Sequence, residues 1–302
     1  MNILIAGANG LVGGRLSSFL SRKGFNITKL SRKKKKGFKK IDWRSDQQII
    51  KACRGQDVII NCLGVDINNA NNYKKAYLVN SILPKKIFSI ANNQGVKYFI
   101  FLSTYHVYDL SLKKINENSK IKQSNNYNKS KINSERNLLD YKKKTKLIII
   151  RPCNLFGYPI YENKNCWKLL INELCRKLAF NKKIIIRAKF DEYRAYSSIE
   201  SFNHYILGLL KKKKIIKFKN NNYISNYTSN FNLRISDVIQ ILFKLFNKER
   251  MKTKSLTNKL KNIPYRKFYL SLNQNKIKNK IDKFFYQELN DLKVYLIRNK
   301  KR

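Results

Sequence analysis

The chain contains few of the residues from which metal sites and disulfide frameworks are built. Its 302 residues include two histidines and five cysteines, and no two cysteines form a Cys-x-x-Cys pair. Structural zinc sites and disulfide scaffolds rely on such ligands at short spacing. The sequence therefore predicts no bound metal and free thiols, which favours a reducing cytoplasm as the compartment.

Long apolar runs and a basic leader are also missing. No apolar stretch reaches the ~18 residues that a membrane-spanning helix needs, and no basic region precedes the apolar start of the chain. We therefore expect neither a signal peptide nor a membrane partner. Hydrophobic residues still make up 43% of the chain, and its length suits one large domain with a smaller lobe.

Acidic residues are scarce, with 18 Asp and Glu against 65 Lys and Arg, so the formal net charge is +47. Such a charge points to nucleic acid or an anionic membrane when the basic residues cluster. Here they are dispersed, and the Lys, Asn and Ile that AT-rich codons encode recur in every segment. The longer basic runs are Lys33–Lys36, Lys142–Lys144, Lys211–Lys214 and Lys300–Arg302. We interpret the charge as solvated surface and predict no specific nucleic acid partner, while a polyanion-binding protein stays an alternative.

The first segment of the chain predicts a strand, a glycine-rich turn and a helix. An uncharged apolar run ends at Ala6, and the turn Gly7-Ala-Asn-Gly-Leu-Val-Gly13 leads into residues with helical apolar spacing. Glycines allow a tight turn and a close backbone approach, and a helix N-terminus offers free N–H groups to a pyrophosphate. The residues predicted to line a dinucleotide are Gly7, Asn9, Gly10, Leu11, Val12 and Gly13.

The end of the second predicted strand bears on which dinucleotide binds. In NAD-binding folds an acidic residue at this position takes the ribose 2′-hydroxyl, whereas an Arg suits a 2′-phosphate. This chain has Ser31 and Arg32 there and no acid. The sequence therefore predicts NADP or NAD as cofactor, with NADP favoured by Arg32. Asp42 and Trp43, after a third short strand, are predicted to border the adenine.

Strands and helices alternate six times up to residue 150, which predicts an α/β fold with a doubly wound parallel sheet of the Rossmann type. The dinucleotide-binding domain is expected to span residues 1–165. A smaller mixed α/β substrate lobe is expected over residues 166–302, packed on the first domain and partly interleaved with it. The elements predicted in this lobe are helices over Trp167–Phe180, Ile199–Leu210 and Ser236–Phe246, the last with Ser236 as N-cap, and a strand over Lys183–Arg187.

Tyr127 and Lys131 form the second informative motif. Residues i and i+4 share one face of a helix, so the phenol and the ammonium project together. A neighbouring cation lowers the pKa of a phenol toward neutrality, which makes Tyr127 a usable acid or base for an alcohol and carbonyl pair. Thr104 follows a predicted strand and can hydrogen-bond the same oxygen.

In their order along the chain, these motifs resemble the extended short-chain dehydrogenase/reductases, the NAD(P)-dependent nucleotide-sugar epimerase/dehydratase family. The resemblance runs from residue 1 to about residue 245. The matching stretches are Gly7–Gly13, Asn61–Gly64 with Val79-Asn80, Ser103–Tyr108, the Tyr127/Lys131 pair, Arg151–Gly157 and the arginine-led segment Arg194–Ile199.

The resemblance implies a role for each matching residue. Tyr127 would transfer the proton, Lys131 would hold the nicotinamide ribose and tune Tyr127, and Thr104 would complete the triad. Arg194 would meet substrate phosphate, although Ala195 and Glu200 depart from the family pattern. The further cofactor residues are Leu63, Gly64, Asn80, Ser103 and Pro152, and the further substrate residues are His106 and Asn154.

The predicted activity is an NAD(P)-dependent nucleotide-sugar epimerase, in surface polysaccharide synthesis as the resemblance implies. A 4-keto-sugar reductase that consumes NADPH is the first alternative, and a non-catalytic dinucleotide sensor is the second. Dehydratases of the family have an Asp-Glu pair after the triad Thr, where this chain has Tyr105 and His106, so dehydration is not expected. The resemblance also implies a homodimer through the helices near Tyr73–Gln94 and Tyr127–Lys142.

Overall fold

The computed structural model describes residues 1–112, 114–142, 144–186, 192–211, 222–229, 231–248, 254–255, 269–270 and 278–299. The basic run at the C-terminus lies outside these residues. Most of the run Lys211–Lys214 and the last residue of the predicted strand Lys183–Arg187 also lie outside them.

Fourteen strands are formed by the described residues. They are β1 (Asn2–Ala6), β2 (Asn26–Ser31), β3 (Lys39–Lys40), β4 (Val58–Asn61), β5 (Tyr98–Leu102), β6 (Lys114–Ile115), β7 (Lys146–Pro152), β8 (Asn154–Phe156), β9 (Ile185–Ile186), β10 (Tyr193–Ser198), β11 (Asn222–Tyr227), β12 (Phe231–Arg234), β13 (Lys254–Ser255) and β14 (Tyr269–Leu270).

Nine α-helices occur in the same part of the chain. They are α1 (Leu11–Arg22), α2 (Asp46–Cys53), α3 (Tyr73–Tyr77), α4 (Leu83–Asn93), α5 (Asn126–Leu139), α6 (Leu170–Ala179), α7 (Ile199–Lys211), α8 (Ile235–Leu245) and α9 (Lys278–Arg298). A π-helical turn over Leu78–Ile82 joins α3 to α4, and three 3-10 helices cover Ile67–Asn69, Tyr105–Val107 and Lys164–Lys168.

The main sheet has seven strands in the order β11-β7-β5-β4-β1-β2-β3. Every pairing in it is parallel, and the order reverses direction at β1. Its central strands are apolar on both faces, because helices cover both sides. One side packs against α1 and α7 and the other against α2 and α4. The predicted doubly wound α/β fold is confirmed.

The smaller lobe has a three-stranded sheet, β12-β10-β8, packed with α6, α8 and α9. Its strand β8 comes from before residue 166, while β11 crosses back to the edge of the main sheet. The two parts of the chain therefore interleave. This arrangement brings Asn154 and Arg194 to neighbouring strands next to the main sheet.

The structure corrects several predicted element boundaries. Ser236 is not an N-cap, because α8 starts one residue earlier and its N-cap is Arg234, which pairs with Asp237 in a capping box. The predicted helix over Trp167–Phe180 is a 3-10 helix followed by α6. The C-terminal helix α9 was not predicted, although Phe285, Leu289, Leu292 and Leu296 have helical spacing and are buried.

The described part of the chain contains no helix that is long and apolar enough to cross a membrane. All five cysteines are free thiols, and four of them are buried.

Candidate active site

Glycine-rich and polar segments meet where β1, β4, β5 and β7 end. Because the carboxyl ends of parallel strands lie at one edge of a sheet, the loops that follow these strands face each other. A cavity of about 350 Å³ opens between them. The predicted site residues in its wall are Gly10, Leu11, Val12, Gly13, Leu63, Gly64, Ser103, Thr104, His106, Tyr127, Lys131, Pro152 and Asn154.

The turn between β1 and α1 is packed too tightly for side chains. Gly7 has φ of +85°, and a Cβ on it would lie 2.8 Å from the backbone carbonyl of Cys62. A Cβ on Gly13 would overlap the carbonyl oxygen of Gly7. Gly10 is the N-cap of α1, so the free N–H groups of the first helical turn lie at the cavity wall. This cradle fits a dinucleotide pyrophosphate in shape and in polarity.

A second cavity of about 720 Å³ continues from the glycine turn past the end of β2. Asn9, Ser31, Arg32 and Trp43 line it, and the segment 162–165 forms its opposite side. The wall at the end of β2 contains the predicted cofactor residue Arg32 and a second cation, Lys33. Such a wall fits the adenosine half of a dinucleotide.

Asp42 borders a third, larger cavity, of which Arg32 and Trp43 are also part. Its carboxylate accepts hydrogen bonds from the Arg44 guanidinium at 2.9–3.2 Å. These bonds lower the pKa of Asp42 to about 2. Asp42 is therefore an ionised, arginine-paired residue, and it does not line the 350 Å³ cavity that Tyr127 borders.

Helix α5 presents Tyr127 and Lys131 to the 350 Å³ cavity. Its start is fixed by a capping box between Asn125 and Asn128, which sets the phase of the helix. Lys131 is buried, donates a hydrogen bond of 2.9 Å to the carbonyl of Leu102 and lies 4.9 Å from the Phe101 ring centre. The structure therefore brings the two predicted residues to one face, at the end of β5.

Burial has the largest effect on the pKa values of the Tyr127 phenol and the Lys131 ammonium. It raises the pKa of Tyr127 to about 12, against the effect of a hydrogen bond with Thr104. It lowers the pKa of Lys131 to about 8, against the attraction of the Glu135 carboxylate. The predicted lowering of the Tyr127 pKa by Lys131 is thus not found in the protein alone, because burial raises this pKa and the groups that act on it are Thr104 and Asp66. Lys131 instead directs its ammonium at the carbonyl of Leu102.

Tyr105 and His106 follow Thr104 in a short 3-10 helix capped by the Thr104 hydroxyl, which accepts a hydrogen bond from the His106 N–H. The His106 ring centre lies 6.4 Å from that of Tyr127. Burial and the nearby Arg194 guanidinium lower the pKa of His106 to about 4, so His106 is neutral at pH 7. Burial also raises the pKa of Tyr105 above its usual value.

Asn154 and Arg194 lie on neighbouring strands of the lobe sheet. Asn154 donates hydrogen bonds to the Tyr105 hydroxyl at 2.8 Å and to the Ala195 carbonyl at 3.0 Å. Arg194 does not line the cavity wall. It forms two hydrogen bonds of 3.1 Å with Glu192, and its charge reaches His106 and Tyr105.

Two predicted cofactor residues have their side chains engaged by the protein. Asn80 is fully buried, accepts a hydrogen bond from the Val65 N–H at 2.7 Å and donates one to Ser130 at 2.9 Å. The Ser103 hydroxyl donates a very short hydrogen bond to Glu135. Both side chains support the cavity wall from behind.

The structure adds site residues that the sequence analysis missed. Asp66 lines the 350 Å³ cavity and acts on Tyr127, and Asn163 and Asn165 border both this cavity and the 720 Å³ cavity. Only the fold brings this second segment there, so no local motif marks it. Glu135 could have been found, because it follows Lys131 by the same four residues that separate Lys131 from Tyr127.

Comparison with known proteins agrees with this geometry. The model of the NAD dependent epimerase/dehydratase family matches residues 3–215. A curated relative from Escherichia coli O157:H7, N-acetyl-alpha-D-glucosaminyl-diphospho-ditrans,octacis-undecaprenol 4-epimerase, is 26% identical over 251 residues. This match covers 80% of the present chain and 73% of the relative.

Solved structures share the fold across nearly the whole chain. UDP-glucuronic acid 4-epimerase from Bacillus cereus, solved with NAD, has a TM-score of 0.79 and 16% identity, and the match covers 98% of this chain and 96% of that one. UDP-N-acetylglucosamine 4-epimerase from Bacillus cereus has a TM-score of 0.78 and 18% identity, with 99% and 97% covered.

Proposed function

Because the chain belongs to the NAD dependent epimerase/dehydratase family, we propose that it is a nucleotide-sugar 4-epimerase with a Thr104/Tyr127/Lys131 triad. One observation supports this most strongly. A single cavity at the ends of the parallel strands is lined by the glycine turn and by all three triad side chains. A dinucleotide sensor would need the glycine turn alone. A place in surface polysaccharide synthesis is the corresponding biological role.

Inverting a carbinol carbon without breaking its bond to oxygen requires that its hydrogen leave and return. A bound nicotinamide ring supplies a reversible hydride acceptor for that purpose. In this proposal Tyr127 takes the proton of the sugar hydroxyl at its phenolate oxygen and later returns it, while Thr104 hydrogen-bonds the same site. Lys131 stabilises the phenolate by its charge. The positive charge of an oxidised nicotinamide would favour the same ionised form, against the effect of burial.

The residues after Thr104 favour epimerisation over loss of water. Elimination needs an acid for the leaving hydroxyl and a base for the neighbouring carbon. The pKa of His106 is lowered to about 4, so it is not protonated at pH 7, and the buried Tyr105 phenol is a weaker acid than usual. Neither residue can act as the required acid at neutral pH.

The substrate class is a sugar diphosphate. Several matching structures bind or act on UDP-sugars, and the curated relative acts on a sugar linked to undecaprenyl diphosphate. The shared chemistry is a sugar joined to a diphosphate, which suits a chain of net charge +47. We propose His106 and Asn154 as sugar contacts and Arg194 as the phosphate contact, for which Arg194 would exchange its bonds with Glu192.

The cofactor is proposed to be NAD or NADP, held by the glycine turn and the 720 Å³ cavity at the end of β2. Arg32 and Lys33 in the wall of this cavity favour a 2′-phosphate. UDP-glucuronic acid 4-epimerase from Bacillus cereus was solved with NAD, whereas Arg32 predicts tighter binding of NADP by the present chain.

The proposed function is tested by incubating the protein with UDP-N-acetylglucosamine, UDP-glucose and UDP-glucuronic acid in separate reactions. A 4-epimerase yields a product of unchanged mass with catalytic amounts of NAD or NADP. A keto-sugar reductase instead needs a 4-keto-sugar and consumes NADPH in equal amounts, and a product lighter by one water would contradict the argument from Tyr105 and His106. A fourth reaction contains N-acetylglucosamine linked to undecaprenyl diphosphate. Activity in this reaction alone, with none on the three UDP-sugars, would indicate a lipid-linked substrate.

A further inference from the structure

We propose that Glu135 is a positioning residue that keeps Lys131 charged and in place beside Tyr127, with Arg151 and Ser103 fixing Glu135 for this task. The inference rests on the proposed function, since it concerns the residue through which Tyr127 would be tuned. It assigns a role to a buried carboxylate that touches neither the substrate cavity nor the proposed reacting atoms.

The geometry of α5 places the three side chains in one row. Tyr127, Lys131 and Glu135 are four residues apart, and such residues share one helix face. The row runs from the cavity wall into the interior, where Lys131 is 4% exposed and Glu135 is 2% exposed. Two buried charges of opposite sign on successive turns stabilise each other strongly, because little water screens them.

Glu135 is held from two further elements. Arg151, at the end of β7, donates from Nε to Oε1 at 3.0 Å and from Nη2 to Oε2 at 2.5 Å. Ser103, after β5, donates from its hydroxyl to Oε1. Arg151 is fixed in turn, because it also donates to the Tyr108 hydroxyl at 2.6 Å. The carboxylate thus has one defined position relative to Lys131.

The other groups around Lys131 cannot replace Glu135. The ammonium donates to the Leu102 carbonyl, lies over the Phe101 ring and approaches Gly64, and the Cys62 thiol is nearby. Burial raises the pKa of that thiol to about 12, so Cys62 is neutral at pH 7. Among the described neighbours that act on Lys131, Glu135 alone brings a negative charge, and this charge opposes the lowering of the Lys131 pKa by burial.

A purely structural ion pair is the competing explanation for Glu135 and Arg151. Buried pairs often contribute little net stability, and removing either partner of a structural pair destabilises the fold. The two explanations predict different shifts in the pH at which Lys131 loses its proton. If Glu135 acts on Lys131, removing the charge of Glu135 makes Lys131 easier to deprotonate. Removing the charge of Arg151 leaves Glu135 unneutralised and makes Lys131 harder to deprotonate.

The test uses three variants of the whole protein, Glu135→Gln, Arg151→Gln and the double variant. Two readouts are measured between pH 6 and 10: NAD⁺ affinity, from the quenching of tryptophan fluorescence, and turnover of UDP-N-acetylglucosamine. We expect both to fall on the alkaline side as Lys131 loses its proton. This fall should begin about one pH unit lower in Glu135→Gln and in the double variant. In Arg151→Gln it should begin at the same or a higher pH.

Replacing both members of the Glu135–Arg151 pair leaves neither of them unpaired, so the double variant keeps the test valid if Glu135→Gln does not fold. The inference is contradicted if the alkaline fall in affinity and turnover shifts in the same direction in both single variants. It is also contradicted if this fall is unchanged in Glu135→Gln, or if the parent protein shows no such fall. The proposed function fails in a different way, because then Tyr127→Phe would leave turnover intact while NAD⁺ affinity could still respond to Glu135.

Discussion

At the scale of single residues, the proposed proton transfer depends on the phenol of Tyr127. Its pKa of about 12 in the protein alone means that proton transfer needs help from charges brought by ligands as well as from Lys131. A hydroxyl that merely packs in the wall would not affect turnover when removed. The phenol can therefore be tested by a substitution that removes only one oxygen.

Tyr127→Phe is expected to lower kcat by roughly 10²–10⁴, the contribution of a general acid–base residue. The ring remains, so NAD⁺ affinity should stay within a few-fold of that of the parent protein. Tyr98→Phe is the matched control, because Tyr98 begins β5 far from the cavity wall. Steady-state kinetics and a fluorescence titration measure both effects. Equal losses in the two variants would contradict the assignment.

The second prediction for a single residue concerns Arg32 and the preference between NADP and NAD. NADP should bind more tightly than NAD, because Arg32 stands where an acid would favour the free 2′-hydroxyl. Arg32→Asp should reverse this order by attracting the hydroxyl and repelling the phosphate. Arg22→Asp makes the same change of charge at the end of α1 and should leave the order unchanged. Titration of the four combinations by fluorescence provides the measurement, and an NAD preference in the parent protein would refute the prediction.

At the scale of elements, the glycine turn and a helix glycine offer a contrast within one protein. Gly13→Ala should abolish or strongly weaken dinucleotide binding, because the new methyl group would overlap the Gly7 carbonyl oxygen. Gly208→Ala places a methyl group on α7, where no atom of the described residues outside the helix's own backbone lies within 4 Å. It should raise the free energy of unfolding by about 0.5–1 kcal/mol.

Urea unfolding and NAD⁺ titration of both variants test this contrast. The expected pattern is lost binding in Gly13→Ala and retained binding with higher stability in Gly208→Ala. Retention of full affinity in Gly13→Ala would show that the turn does not hold the pyrophosphate closely.

Local patterns predicted the elements of the main sheet well, and the reason is physical. Strands such as Val58–Asn61 are apolar on both faces because helices cover both sides, so their composition alone distinguishes them. The glycine spacing and the pair Tyr127/Lys131 depend on neighbours within seven residues. Such features depend only on short stretches of sequence and can be predicted from them.

Helix α9 shows why the rest could not be predicted. Its buried residues Phe285 and Leu289 lie in a tail rich in Lys and Asn, and they become core only against α6 and the lobe sheet. Its buried Glu288 pairs with Arg15, which is 273 residues earlier and directly follows the glycine turn. Only the fold brings Arg15 to Glu288 to compensate its buried charge, so no local sequence pattern could predict this pair.

The same helix links the lobe to the first helix of the main sheet. The Glu288 carboxylate lies against Gly157, where a Cβ would overlap it, and against Arg15 of α1. Burial raises the pKa of Glu288, whereas Arg15 opposes this effect. The C-terminal helix therefore contacts α1 as well as the core of the lobe.

At the scale of the whole molecule, we predict a homodimer. The helical segment from α3 to α4 leaves Leu78 and Ile82 exposed, 58% and 39%, one turn apart on its surface. Sedimentation at micromolar concentration should give twice the chain mass of 35.8 kDa. Leu78→Glu with Ile82→Glu should give monomers, because a charge at this face cannot be buried between subunits.

The control for the dimer is a pair of exposed aliphatic residues elsewhere, Leu110 at 42% and Ile121 at 39%, changed in Leu110→Glu with Ile121→Glu. This variant should sediment like the parent protein. A parent that sediments as a monomer, or a control that dissociates as readily as the test variant, would count against an interface at α3–α4.

In the proposed mechanism, the sugar carbon is inverted by removal of its hydrogen as hydride and return of the same hydride. The most direct test is conversion of UDP-N-acetylglucosamine that carries deuterium at C4, in ordinary water and with a catalytic amount of NAD. We expect a 4-epimer that retains its deuterium, and a Tyr127→Phe variant that forms it far more slowly. An epimer that has exchanged its deuterium for solvent hydrogen, or one that forms equally fast without Tyr127, would refute this mechanism.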